Sequence, residues 1–243
     1  YGHTPVLQIT EPIRFEEGDR IGIIGSNGAG KSTLIKTLLG QLSYAGSIQT
    51  ELKPNDMAVH MQENNYVQTI SVKTIIESIL CTKINKNAKL QELIEFFDFE
   101  QGLTQRFKKL SGGQPNRLTI ILVLMQDMPL TFFDEVTSGL DFETRQHLMK
   151  KINEWYEGKN ATVCIVSHYY DELETLTNKL LLLEKGRVVA FGEKAELFRK
   201  YCGYSTIITD NTEYNALQLQ GFSRLLAPDH LLAFSCKNLT EEQ

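Results

Sequence analysis

Hydrophobic positions along this chain follow two periods, one typical of strands and one typical of helices. Short runs rich in Ile, Val, Leu and Phe predict β-strands at residues 20–24, 57–61, 130–133 and 162–166. Between the last two runs, Leu148, Ile152 and Trp155 recur at helical spacing, which predicts a helix with one buried face. Strands that alternate with helices predict an α/β fold with a mostly parallel sheet as its core.

Two parts of the chain depart from this alternation. Residues 72–80 and 88–97 have helical patterns with no strand between them, so we expect a helical lobe at about 64–115, inserted into the core. Apolar runs at 45–48 and 180–190 contain glycines typical of turns. These two runs predict a smaller antiparallel β subdomain.

The C-terminal part of the chain has a weaker pattern. Residues 204–208 and 231–235 predict two strands around a short helix. We therefore expect a main domain over residues 1–200 and a small appendage over residues 201–243. The sequence contains no internal repeat.

Composition and charge exclude several classes of protein. The 243 residues carry a formal charge of -5, which argues against a nucleic-acid binder that relies on a broad basic surface. The longest apolar stretch, 118–125, is far shorter than the roughly 20 residues of a membrane-spanning helix. No two of the four cysteines have the spacing of metal ligands, which favours a reducing, cytoplasmic setting.

A glycine-rich run follows the first predicted strand and precedes a predicted helix. It fits the pattern G-x-x-x-x-G-K-[ST] and consists of Gly25, Ser26, Asn27, Gly28, Ala29, Gly30, Lys31 and Ser32. Glycines let the backbone N–H groups turn toward phosphate oxygens, and the helix N-terminus adds a favourable dipole. We expect Lys31 to neutralise the β- and γ-phosphates of a nucleotide, Ser32 to hold Mg2+, and Thr33 to make a further phosphate contact.

Two adjacent acids, Asp134 and Glu135, end the predicted strand at 130–133. Buried charges are costly when they are unpaired, so these carboxylates suit a cation or a catalytic task. We expect Asp134 to reach Mg2+ through water and Glu135 to act as general base for an attacking water. Solvated acids also follow many strands, so this pair alone leaves both interpretations open.

Polar residues follow two further predicted strands. Gln62 comes after the strand at 57–61, and His168 follows the strand at 162–166. Each residue alone is more often structural than catalytic. Ligands bind beyond the carboxyl ends of strands in an open parallel sheet, and four strands bring Gly25, Gln62, Asp134 and His168 to one edge. Their common placement predicts a single nucleotide site.

The run Leu110, Ser111, Gly112, Gly113 and Gln114 resembles the signature motif of ABC ATPases letter for letter. It lies between the glycine-rich loop and the acidic pair, in the order of that family. The motif precedes another predicted helix, so the Ser111 hydroxyl and the glycine N–H groups form a second anion-binding tip. The resemblance covers nearly all of residues 1–200 and implies the P-loop ABC ATPase fold.

The resemblance also implies roles for individual residues. By it, Tyr1 is similar to the aromatic residue that stacks on adenine, and Gln62 to the glutamine that contacts Mg2+ and senses the partner. Glu135 is similar to the catalytic carboxylate and His168 to the switch histidine that reads the γ-phosphate. Ser138 and Asp141 belong to a run that resembles the loop joining the two sites of a dimer.

In such ATPases, the phosphate loop of one subunit and the signature of another enclose each nucleotide. One copy of each motif therefore implies ATP hydrolysis in a two-chain sandwich, either a homodimer or a pair with a close relative. The runs 137–141 and 167–170 most resemble two-component exporters, in which the membrane subunit is a separate chain. The resemblance implies a cytoplasmic subunit bound peripherally to the inner face of the cell membrane through that partner. Pro115 and Phe142 depart from the usual pattern of the family.

Two other ABC ATPase functions and a non-enzymatic role are alternatives to this one. A soluble ABC ATPase that serves an assembly machine, as in iron-sulfur cluster biogenesis, would have much the same sequence. ABC-type translation factors and DNA-repair ATPases resemble tandem chains or chains interrupted by coiled coils or zinc modules, so we expect no nucleic-acid partner. Intact Glu135 and His168 argue against ATP as a purely structural ligand.

Overall fold

The computed structural model describes residues 6–60, 66–111, 113–219 and 221–237. The chain divides into two compact units, of which the first ends at Val189 and the second begins at Ala190. The predicted boundary at residue 200 stays a prediction. No helix among the described residues is long and apolar enough to cross a membrane.

A six-stranded sheet forms the centre of the fold, with five strands wholly in the first unit and a sixth that begins there and ends in the second. Its strands are β1 (Arg20–Ile24), β2 (Met57–His60), β3 (Leu130–Asp134), β4 (Thr162–Val166), β5 (Lys179–Glu184) and β6 (Arg187–Glu193). Their order across the sheet is β2-β3-β4-β1-β5-β6. The pairs β2 with β3, β3 with β4, β4 with β1 and β1 with β5 are all parallel. β6 follows β5 after the turn Lys185-Gly186, in which both residues have positive φ, as in type I′ hairpins.

Register places the ends of three strands at the same level. Val166 on β4 pairs with Ile23 of β1 on one side and with Asp134 of β3 on the other. The residues that follow these strands therefore meet at one edge of the sheet. This edge is where an open parallel sheet binds ligands.

Helices pack against the strands of this sheet. The α-helices of the first unit are α1 (Lys31–Leu38), α2 (Val72–Ile79), α3 (Ala88–Phe96), α4 (Gln114–Leu124), α5 (Phe142–Tyr156) and α6 (Tyr170–Leu176). Short 3-10 helices lie at Pro54–Asp56, Ile84–Lys86, Glu100–Gly102 and Phe107–Lys109. Side chains of Ser71 and Asn87 accept the N-terminal N–H groups of α2 and α3, which fixes where both helices begin.

The hydrophobic core lies between the sheet and helices α4 and α5. Every residue of β3 is buried, and α4 is buried on all sides from Leu118 to Leu124. The predicted stripe of Leu148, Ile152 and Trp155 is buried against this cluster. This packing holds β3, and with it the acidic pair, in a fixed position.

Cationic side chains of α4 and α5 bind the carboxyl end of α3. Arg117 of α4 donates to the carbonyl of Phe97 at 3.3 Å, and Lys151 of α5 donates to the carbonyl of Phe96. Lys151 also pairs with Asp98 at 3.3 Å. Cations near the last carbonyls of a helix interact favourably with its dipole, so these contacts stabilise the attachment of the helical lobe.

The second unit contains a three-stranded antiparallel sheet. Its strands are β7 (Ser205–Asp210), β8 (Ser223–Leu225) and β9 (Leu231–Cys236), in the order β7-β9-β8. Its helices are α7 (Lys194–Cys202) and α8 (Glu213–Gln218). Leu232, Phe234 and Cys236 on β9 are buried, which gives this small sheet one apolar face.

The α/β fold with a mostly parallel core, an inserted helical lobe and an antiparallel sheet is confirmed. The three-stranded antiparallel sheet is formed by β7, β9 and β8. Of the two runs that predicted antiparallel strands, 180–190 does form two strands, β5 and β6, around the predicted turn at Gly186. The prediction of a strand at 45–48 is wrong, because these residues form an exposed loop in which Gly46 has a φ of 110°. Residues 180–190 form strands of the main sheet, since β5 pairs in parallel with the central strand β1.

Candidate active site

The glycine-rich loop connects β1 directly to α1, as predicted. Gly28 and Gly30 have φ values of 80° and 105°, which residues with side chains rarely adopt. A Cβ atom on Gly25 would lie 2.5 Å from the carbonyl oxygen of Leu183 on β5. Glycine at these positions therefore allows the loop to curl over the end of the sheet.

Lys31, the first residue of α1, lies inside this loop. Its Nζ donates to the carbonyl oxygens of Gly25 at 2.6 Å and Ser26 at 3.3 Å. The residue is only 7% exposed, although it carries a positive charge. The ammonium group of Lys31 thus lies beside the backbone of the loop, at a position where it can neutralise a phosphate bound there. Asn27 and Ala29 complete the turn, and Thr33 lies in the first turn of α1.

Ser32 and Asp134 bring two oxygen donors together across the loop. The Ser32 hydroxyl donates to Asp134 Oδ2 at 3.3 Å. Burial, followed by the charge of Glu135, raises the pKa of Asp134, while Ser32 and Lys31 act in the opposite direction. A desolvated carboxylate beside a hydroxyl is a suitable partial ligand set for Mg2+, which prefers oxygen donors.

Glu135 and His168 form a second pair at the same sheet edge. His168 Nε2 lies 3.1 Å from Glu135 Oε1. Glu135 has a φ of 49°, and its N–H donates to the carbonyl of Val166 at 3.0 Å. The unusual backbone turns the carboxylate toward the histidine instead of continuing β3. The structure therefore brings Lys31, Ser32, Asp134, Glu135 and His168 to one edge of the sheet.

The loop after Glu135 is held by local hydrogen bonds. Ser138 donates its N–H to the carbonyl of Glu135 at 3.0 Å. Asp141 caps α5 by accepting from the N–H of Thr144 at 3.0 Å and from its hydroxyl at 2.7 Å. These bonds hold the pKa of Asp141 below its ordinary value. The carboxylate is therefore charged at neutral pH and fixed at the start of the helix.

The signature run opens α4, as predicted. Gln114 is the first helical residue, and its side-chain oxygen accepts from the N–H of Ser111 at 3.2 Å. A Cβ atom on Gly113 would lie 2.8 Å from Cγ2 of Thr144, so the signature packs tightly against the start of α5. Pro115 occupies the first turn of α4, where its missing N–H costs little.

Three residues of the predicted site, Tyr1, Gln62 and Gly112, lie outside the described residues. Their roles stay predictions. A further residue, Glu172 of α6, escaped sequence analysis. It is 1% exposed and accepts hydrogen bonds from Thr137 and Ser167, which flank the acidic pair and His168. The one sequence feature that could have indicated its burial is its spacing from Leu176, because residues four positions apart lie on the same face of a helix.

Fold and site together define a nucleotide-binding protein with a phosphate loop. The sequence model of the ABC transporter family matches residues 12–138, which is more than half of the chain. The chain belongs to the ABC transporter family, as an ATP-binding subunit that hydrolyses ATP.

Several characterised relatives align with most of the chain. The thiamine import ATP-binding protein of Haemophilus ducreyi is 28% identical over 191 residues, which cover 73% of this chain and 90% of that protein. A tungstate uptake ATP-binding protein of Peptoclostridium acidaminophilum is 30% identical and covers 77% of this chain and 92% of its own length. The Nod factor export ATP-binding protein I of Rhizobium etli is 29% identical, with coverages of 85% and 69%.

Solved structures share the fold. An ATP-binding subunit of an ABC transporter superposes with a TM-score of 0.70 at 23% identity, covering 83% of this chain and 89% of that one. A bacterial ABC transporter cassette solved as a dimer has a TM-score of 0.64 at 20% identity, with coverages of 74% and 88%. At these identities the likeness confirms the fold.

Proposed function

We propose that two ATPase chains close around two ATP molecules and that their cycle drives a separate membrane-spanning subunit. The observation that carries this proposal is the placement of the Ser32–Asp134 and Glu135–His168 pairs at one sheet edge beside Lys31. The arrangement supplies a phosphate cradle, a cation site and a base at one place. These are the parts that phosphoryl transfer to water requires.

Each residue then has a defined task. Lys31 exchanges its contacts with loop carbonyls for the β- and γ-phosphates of ATP, since an ammonium binds a charged phosphate oxygen more strongly than a neutral carbonyl oxygen. Ser32 and Asp134, with Gln62, hold Mg2+, which neutralises phosphate charge when it is bound. Glu135 accepts a proton from the attacking water, whose oxygen bonds to the γ-phosphorus. The bond from that phosphorus to the β,γ-bridging oxygen breaks, so ADP is the leaving group and inorganic phosphate the second product. His168 orients the Glu135 carboxylate and contacts the γ-phosphate, while Tyr1 stacks on adenine.

The second chain completes the site. Ser111, Gly112, Gly113 and Gln114 of one subunit cap the γ-phosphate held by the other, and Ser138 and Asp141 lie between the two sites. Association costs an estimated 4 to 15 kcal/mol in lost freedom, so the empty chains stay apart. Bonds to the γ-phosphate offset this cost, and hydrolysis removes them. The resulting population shift moves the helical lobe against the membrane subunit.

Direction of transport and location are finer parts of the proposal. The runs at 137–141 and 167–170 resemble those of exporters, which favours export. In that case this subunit lies at the inner face of the cell membrane. Names of the relatives include both import and export proteins. Co-purification from detergent extracts, followed by reconstitution in vesicles, tests both points. A multi-span membrane partner would support the proposal, and so would ATP-dependent movement of the transported substance away from the side that carries the ATPase. Accumulation of that substance on the ATPase side would contradict export.

Glu135→Gln tests the chemistry. We expect this variant to bind ATP, to lose about 100-fold or more of its turnover, and to accumulate as an ATP-bound dimer in size-exclusion chromatography. Glu157→Gln provides a matched control, because this exposed residue lies at the end of α5. Turnover of Glu135→Gln at the wild-type rate would refute the assignment of the base.

Ser111→Arg tests completion of the site by the second chain. We expect hydrolysis to be lost while the monomer keeps its affinity for ATP, since the signature acts on the partner's nucleotide. Impaired ATP binding by the monomer would contradict the two-chain site. The assembly-machine alternative predicts no membrane partner, and the transport names of the relatives favour the transporter.

A further inference from the structure

Glu172 is a buried acid that the reaction as described does not use. It lies in α6, where it is 1% exposed. The Thr137 hydroxyl donates to its Oε1 atom at 2.5 Å, and the Ser167 hydroxyl donates to its Oε2 atom at 2.5 Å. Both carboxylate oxygens therefore accept short hydrogen bonds from two different loops. A buried carboxylate needs such partners, because desolvation without them is costly.

The two hydroxyl donors lie beside the Glu135–His168 pair. Thr137 follows Glu135 by two residues, and Ser167 immediately precedes His168. Ser167 Oγ also accepts the N–H of Tyr169 at 3.0 Å, so it holds the backbone on both sides of His168. Glu172 thereby connects the loop that carries the base to the loop that carries the histidine.

Arg145 of α5 balances the charge of this carboxylate. Its Nε lies 3.7 Å from Glu172 Oε1, and its terminal nitrogen donates to Asp171 Oδ2 at 3.2 Å. The guanidinium carbon lies 3.9 Å from the centre of the Tyr169 ring, which is a favourable cation–π distance. Arg145 thus ties the histidine loop to the helix that begins at Asp141. Four elements, α5, α6 and the loops after β3 and β4, meet at one buried carboxylate.

We propose that Glu172 is a positioning residue for ATP hydrolysis, which holds His168 at the distance from Glu135 that the reaction requires. This inference rests on the proposed roles of those two residues. Glu172 itself does not touch the nucleotide. Its effect is on geometry, and errors of about 1 Å in an active site can cost about 100-fold in rate. A change at Glu172 should therefore lower kcat and leave ATP affinity nearly constant, because the phosphate loop has its own contacts.

The competing explanation is that Glu172 only stabilises the fold. A double-mutant cycle separates the two explanations. If Glu172 acts through the position of His168, its replacement matters only while His168 is present. A purely structural residue would lower activity by the same factor with or without the histidine.

The experiment measures kcat by steady-state hydrolysis of radiolabelled ATP at saturating ATP with Mg2+, together with the Kd for ATP from calorimetry. We expect Glu172→Ala to lower kcat by about 10- to 100-fold with Kd within about twofold. In the His168→Ala background, the same change should lower kcat by less than about twofold. Glu172→Gln keeps the shape and one acceptor oxygen, so it should recover part of the loss. Glu174→Ala serves as the matched control, since this acid is exposed on the same helix.

Other outcomes decide against the inference. Full activity of Glu172→Ala overturns it, and so does an equal loss in both backgrounds. If Glu172→Ala fails to fold, Ser167→Ala decides the question, because it removes one of the two hydroxyl bonds and should show the same dependence on His168. Wild-type turnover by Glu135→Gln would refute the proposed function instead, whatever the result for Glu172.

Discussion

Glu135 has a strained backbone, which leads to a prediction about stability. Its φ of 49° lies in the left-handed region, where a residue with a Cβ atom pays about 1–2 kcal/mol. Two hydrogen bonds hold it there, from its own N–H to Val166 and from the N–H of Ser138 to its carbonyl, each 3.0 Å long. Strain of this kind persists at functional sites when the surrounding structure determines the backbone.

Replacement of Glu135 by Ala and by Gly isolates this strain. Both variants lack the carboxylate, so they differ in the Cβ atom and in the entropy of the unfolded chain. Gly relieves about 1–2 kcal/mol of strain and loses about 0.5–1 kcal/mol more entropy on folding. We therefore expect Glu135→Gly to be more stable than Glu135→Ala by about 0.5–1 kcal/mol. Neither variant should hydrolyse ATP.

Urea unfolding followed by tryptophan fluorescence measures the difference. The single tryptophan, Trp155, is 8% exposed and lies in the first unit, so its signal reports on the domain that contains Glu135. Asn153→Gly and Asn153→Ala form the control pair at an exposed position within α5, where Gly should be the less stable by about 1 kcal/mol. If the Glu135 pair shows the same order as the control pair, the strain argument is refuted.

Three other changes test the site. Lys31→Ala should weaken ATP binding about 10- to 100-fold in calorimetry, because charge-assisted bonds contribute about 1.5–3 kcal/mol each. Asp134→Asn should gain stability relative to wild type in urea unfolding as pH rises above 3.8, because the raised pKa of Asp134 makes the wild-type native state lose stability as that carboxyl ionises. A pH-independent difference between the two proteins would contradict this. Gly113→Ala should reduce kcat without changing the Kd for ATP, since its Cβ would lie 2.8 Å from Thr144, and an unchanged rate would argue against tight packing there.

Continuous apolar runs made the central strands predictable. Strands β1 and β4 have the predicted bounds, because parallel strands buried on both faces read as unbroken Ile, Val and Cys positions. The loop between β1 and α1 was predictable for a different reason, since its glycines are required by local geometry. In the same way, the order of strands and motifs placed Asp134 and His168 at the edge where the structure has them.

Tertiary contacts account for what the sequence did not predict. The run at 45–48 has apolar residues on either side of Gly46, but it pairs with no strand in the part of the chain that the structure describes, so it is an exposed loop. Glu172 has no motif around it, and its importance depends on Thr137, 35 positions away along the chain. The hydrogen bonds of Glu172 depend on the packing of α6 against the sheet. Local patterns carry no information about such distant pairs.

The packing of Gly113 against Thr144 has a consequence for how movement spreads through the chain. Thr144 is also bonded twice to Asp141, so the beginning of α4 and the beginning of α5 lie in close contact. We therefore expect a displacement of the loop at Asp141 to move Ser111 as well. In the proposed pair of chains, a change at one nucleotide would reach the other through a short path inside a single subunit.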